Sequence, residues 1–129
     1  MSRRRRRQPS RLLRSNEDFL QNLPELIEHY GETDVARGMS CCQLKCMSEI
    51  VHNLRRGNIP INLATYEKLQ PYSERMKQLG CKSSRTTVKR RLLCNNKRKN
   101  QFGSGPITAG LLTILASTVL PYVLEFISR

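Results

Sequence analysis

The sequence predicts an all-α fold: a small helical bundle flanked by disordered basic arms, with an apolar C-terminal helix. Three observations predict it. Apolar residues recur at helical spacing between residues 15 and 80, in stretches bounded by capping and stopping residues. Basic residues gather in blocks that contain no acid. Residues 105–124 carry no charge at all.

The 129 residues suffice for one domain, and the net charge of +13 favours polyanionic partners. Charge position is more informative than the total. Residues 1–14 hold seven Arg and no acid, and residues 81–100 hold eight basic residues and no acid. Residues 15–39 hold six acids and a single basic residue, Arg37. Like charges in a block repel one another and stay solvated until a polyanion neutralises them. The chain is therefore read as an Arg-rich arm (1–14), a helical domain (15–80), a basic linker (81–104) and an apolar C-terminal helix (105–129).

Within the helical domain, Ser15 and Asp18 stand at capping-box spacing, which opens a first helix. Phe19, Leu20, Leu23, Leu26 and Ile27 form its apolar stripe, Pro24 kinks or divides it, and Gly31 ends it. Ser40 caps a second helix reaching Arg56, with Leu44, Met47, Ile50, Val51 and Leu54 facing inward and Gly57 as the stop. Asn62 caps a third, from Leu63 to Leu79, bent at Pro71 and ended by Gly80. Its apolar face of Leu63, Tyr66, Leu69, Met76 and Leu79 is thin, so the bundle is expected to be marginal on its own. In the basic linker, Val88, Leu92 and Leu93 interrupt the charge. That pattern suits a short amphipathic element as well as a flexible connector.

Five Cys are present, Cys41, Cys42, Cys46, Cys81 and Cys94, and no secretory leader is read at the start, so thiols are expected. Cys41, Cys42 and Cys46 crowd one stretch and His52 follows. No second Cys or His pair has zinc-finger spacing, so no metal site is expected. Nor is any cofactor. Catalysis is not expected either: His29 and His52 sit in ordinary helical contexts, and no phosphate-cradling Gly loop or nucleophile–base pair can be assembled. Glu25 and Glu28 share a helix face, which surface charge explains.

The residues expected to bind nucleic acid are Arg3, Arg4, Arg5, Arg6, Arg7, Arg11 and Arg14 in the first block. Lys82, Arg85, Lys89, Arg90, Arg91, Lys97, Arg98 and Lys99 supply the second. Arg3 to Arg7 also fit a nuclear-localisation patch. Binding would be electrostatic and independent of sequence. No zinc-finger pattern or recognition helix is visible, and aromatic residues lie outside the basic blocks. DNA and RNA are not distinguished by these residues.

An alternative reading places residues 105–124 in a bilayer, with the block at 81–100 on anionic headgroups. Leu111, Leu112, Ile114, Leu115, Val119 and Leu120 would then meet the membrane or a partner protein. Pro121 and Glu125 weaken a clean span. A tail anchor, an interfacial helix and a segment buried against a larger partner all remain open.

The stretch Ile50-Val-His-Asn-Leu-Arg-Arg-Gly-Asn-Ile-Pro60, the run Val88-Lys-Arg-Arg-Leu-Leu93 and a Gly-containing junction leading to a Leu/Ile/Pro-rich tail occur in that order. Over roughly residues 40–129 this order resembles the small basic virion proteins of adintoviruses and Polinton-like elements. Those are similar to the precursor of the adenovirus core protein called X, or mu. The resemblance implies condensation of double-stranded viral DNA, capsid proteins as partners, and residence in the virion and host nucleus. It also implies a viral cysteine protease that removes the apolar tail. Gln101-Phe102-Gly103-Ser104-Gly105 fits that protease's preference, with the cut between Ser104 and Gly105. The chain departs from the adenovirus peptide in its added acidic region at 15–39 and in having Gly-Ser-Gly where that precursor has a Gly pair.

Overall fold

Ser10, rather than Ser15, starts the first helix. The computed structural model describes residues 10–81, 83–94 and 110–128. In it, Ser10 Oγ accepts a hydrogen bond from the Leu13 amide at 3.1 Å, capping α1 (Arg11–Ser15). Ser15 lies at the end of that turn, its hydroxyl donating to the Leu12 carbonyl. The reason is Leu13, which is completely buried and pulls its turn onto the bundle. Arg11 and Arg14 thus belong to a helix and not to an arm, and both side chains are exposed.

The next helix, α2 (Glu17–Tyr30), runs through Pro24 and buries Leu20 and Leu23. Gly31 follows at φ +91°, a conformation that a side chain disfavours. A short helix not foreseen in the sequence, α3 (Glu32–Gly38), then buries Ala36. Helix α4 (Cys41–Arg55) is the central element. Ser40 Oγ accepts from the Gln43 amide at 3.1 Å while Gln43 Oε1 accepts from the Ser40 amide at 2.9 Å, a complete capping box. Its inner face buries Leu44, Cys46, Met47, Ile50, Val51 and Leu54, and Gly57 ends the turn at φ +81°.

Asn62 Oδ1 accepts from the Thr65 amide at 2.8 Å and starts α5 (Leu63–Leu69). Pro71 falls in a 3-10 turn, Gln70–Tyr72, after which α6 (Ser73–Leu79) resumes. Leu69, Met76 and Leu79 are buried as expected, but Leu63 and Tyr66 are 68% and 53% exposed. Ser48 Oγ donates to the Leu79 carbonyl at 2.7 Å and ties α4 to the end of α6.

Two elements alter the expected division of the chain. The stretch expected to be a basic linker contains α7 (Thr86–Leu93), which buries Leu93 and packs on α3, α4 and α6. The apolar C-terminal helix, α8 (Leu111–Ser128), buries nine residues and packs along α2 and against α3 and α5. Each large apolar side chain so covered is worth about 1.5–3 kcal/mol relative to exposure. The core that looked meagre within residues 15–80 is therefore completed by α8. Pro121 does not break this helix. The turn before it, Leu115–Val119, widens to π geometry, and the hydroxyls of Ser117 and Thr118 donate to the carbonyls of Thr113 and Ile114. Among the described residues there is no strand, and the fold is all-α.

Candidate nucleic-acid interface

Basic residues on this fold do three different things. Arg11 and Arg14 on α1, Arg85 just before α7 and Arg91 on it are exposed cations. Arg90 is instead a staple. Its Nη1 donates to the carbonyls of Met39 at 2.8 Å and Arg37 at 3.3 Å, which fixes α7 to the junction of α3 and α4. Lys89 is buried. Its ammonium donates to the Cys81 carbonyl at 3.1 Å and the Ser84 carbonyl at 2.8 Å, closing the turn between α6 and α7. Lys89 and Arg90 were both expected to be free for phosphate. They are drawn inward because α7 is amphipathic and docks by Leu93, placing the side chains beside Leu93's face against the bundle. Arg75, half-buried on α6, donates from Nη1 to the Leu92 carbonyl at 3.4 Å.

The other expected cations, Arg3 to Arg7, Lys82, Lys97, Arg98 and Lys99, lie outside the described residues, as do Ser104 and Gly105.

Beside Lys89 there is a cleft of about 630 Å³ between α1, α4 and the turn that leads into α7. Lys45, Ser48, Glu49, His52 and Asn53 line it from α4, and Ser84, Thr86 and Lys89 line it from the other side. Burial pushes the Lys89 ammonium below its usual range; the Cys81 thiol opposes this and Lys45 adds to it. Lys45, His52, Ser84 and Thr86 went unnoticed as a group in the sequence. Some forty positions separate them along the chain, and no local spacing joins them.

The cysteines are free thiols in three environments. Cys41, Cys42 and Cys81 are exposed, Cys94 is half-buried and Cys46 is buried. Burial and then the charge of Glu49 push the Cys46 thiol up to about 12. Hydrogen bonding from Ser83, whose hydroxyl is 3.1 Å away, lowers that of Cys81. Cys46 points into the core while Cys41 and Cys42 face solvent, so the three do not converge. Among the described residues no group of three or more His, Cys, Asp or Glu is placed to hold a metal ion.

The residues expected to meet a membrane or partner have a different environment. Leu111, Leu112, Leu115, Val119 and Leu120 are each at most 1% exposed, and Ile114 packs against the same core. Helix α8 is long and apolar enough to cross a membrane by length and composition, a test that a soluble core helix also passes. Its cover is supplied by the chain itself. No protein-family model, curated protein or solved structure matches the chain.

Proposed function

We propose that the chain is a non-enzymatic virion protein that binds and condenses double-stranded viral DNA without reading its sequence. The observation that carries this reading is the partition of charge. Residues 1–14 and 81–100 together hold 15 of the 23 Lys and Arg and none of the ten acids. Solubility needs no such separation, whereas a polyanion rewards it: each cation that meets a phosphate releases a condensed counterion. Arg3 to Arg7, Lys97, Arg98 and Lys99 are the main contacts in this reading, with Arg11, Arg14, Arg85 and Arg91 adding to them from the helical body. DNA over RNA, the virion and nuclear setting, capsid partners and cutting at Ser104–Gly105 come from the resemblance to the adenovirus core precursor.

The test is the affinity of the full chain for duplexes of two unrelated sequences between about 50 and 200 mM salt. Neutralisation of about ten phosphates corresponds to a log–log slope near −9. Equal, steep slopes for both duplexes are expected. A shallow slope, or strong preference for one sequence, would refute the reading.

The alternative, a membrane-active protein inserting residues 105–124, requires α8 to exchange its cover for lipid. Leu111, Leu115 and Val119 would have to leave the core first, so the membrane reading carries an unfolding cost that the DNA reading does not.

A further inference from the structure

Lys89 is a buried cation whose hydrogen bonds go to neutral groups. An ammonium has three donors, and the Cys81 and Ser84 carbonyls take two of them. An ammonium drawn partly out of water is disfavoured unless hydrogen bonds or an opposite charge compensate. No carboxylate bonds to it among the described residues. Another cation, Lys45, lines the same cleft and acts on it unfavourably. Two like charges facing one cavity make a locally positive site, and the hydroxyl of Thr86 on the same wall provides a neutral donor, whereas that of Ser84 is given to the Gln78 carbonyl at 3.0 Å.

We propose that this cleft is a phosphodiester seat, which holds one backbone phosphate of a nucleic acid between Lys45 and the third donor of Lys89. The seat rests on the nucleic-acid reading above and adds to it a fixed contact. The arms supply affinity, and the seat fixes how the folded body sits on the strand. Ser10 and Ser84 lie on the cleft wall; in the sequence the first follows the Arg3 to Arg7 run by three positions and the second falls within the 81–100 block. Glu49 shares the cleft as the one opposing charge, and it makes the prediction two-sided: removing it should favour the phosphate.

The experiment is a titration of the isotope-labelled full chain with the dinucleotide pTpT, read from backbone amide resonances. The expected result is saturable shifts at His52, Ser84 and Thr86. Lys45→Glu should weaken binding about tenfold, the worth of one charge-assisted hydrogen bond, while Glu49→Gln tightens it. Both positions are on the outer surface of α4 or its edge, so neither change empties the core. Shifts confined to residues 1–9 and 95–109, or an unchanged affinity in Lys45→Glu, would remove the seat. Inorganic phosphate competing as well as pTpT would make the cleft a free-anion site and overturn the phosphodiester assignment. The duplex salt series on the same variants separates the two ideas. A steep slope with a silent cleft leaves condensation standing and the seat refuted. Loss of duplex binding by the unaltered chain refutes condensation itself.

Discussion

The carboxylate of Glu32 accepts a hydrogen bond from the backbone amide of Thr113 at 3.2 Å, across 81 positions of sequence. Glu32 is the first residue of α3, and Thr113 lies in the first turn of α8, where amides lack helical partners. The bond caps α8 from another helix and places negative charge at its positive end. Gly110 permits it, because a Cβ there would overlap the same carboxylate. Glu32→Ala should cost about 1 kcal/mol, seen as a lower Tm. Gly110→Ala should cost a similar amount by displacing the carboxylate. The double variant should be no worse than either single, since both remove one contact. Additive losses would show that the two residues act separately.

The same carboxylate raises the Cys94 thiol, after the larger effect of burial, while Arg37 and Arg90 lower it. Glu32→Gln removes a negative charge that disfavours thiolate. Cys94 should therefore ionise at lower pH in Glu32→Gln than in the unaltered chain. Thiolate absorbance followed through an alkaline titration checks the sign.

Thiol chemistry should rank with environment. Cys81 is exposed and its thiol is lowered by Ser83, whereas Cys46 is pushed up to about 12 by burial. Iodoacetamide at neutral pH should modify Cys81 well before Cys94, and Cys46 only after denaturant is added. Peptide mass spectrometry over time measures this order. Early modification of Cys46 would contradict its place in the core.

Leu115 is completely buried. Leu115→Asp should therefore unfold the bundle, at a cost of about 4 kcal/mol or more from lost packing and a buried charge. Circular dichroism should show loss of cooperative melting. A variant that melts like the original would mean that α8 is not core. For the same reason, residues 10–94 alone should lack a cooperative transition, and a synthetic peptide of residues 110–129 should restore it.

Cutting the chain between Ser104 and Gly105 should not by itself free the tail. Nine side chains of α8 are buried in the intact fold, and severing the backbone removes none of those contacts. With a specific protease site placed there, the two pieces should co-elute in gel filtration under native conditions and separate in denaturant. Immediate separation in buffer would show that α8 binds weakly.

What the sequence disclosed depended on range. Ser40, Asn62 and the stops at Gly31 and Gly57 are signals spanning a few residues, and they placed the end of α2, both ends of α4 and the start of α5. The all-α class followed from them. Helix α3 was missed because Glu32–Gly38 has one buried residue and no stripe to mark it. Ser10 was overlooked since its turn is held by Leu13 against α4, a contact distant in sequence. The fate of α8 was not legible at all: a run from Leu111 to Ser128 reads alike whether lipid, a partner or its own bundle covers it. Lys89 illustrates the same limit at the site. Its block announced a solvated cation, and the packing of Leu93 turned it inward.

The placement of α8 also bears on how the chain comes to its fold. Helix α2 and the helix that covers it are separated by most of the chain. Synthesis delivers α8 after every element it packs upon, so Leu20 and Leu23 emerge long before their cover. Closing so large a loop precedes the contacts that reward it, and this raises contact order well above that of bundles built from neighbouring helices. Folding should accordingly be slow for an all-α protein, and the nascent chain should hold an uncovered apolar groove, a natural substrate for chaperones, until residue 128 has been added.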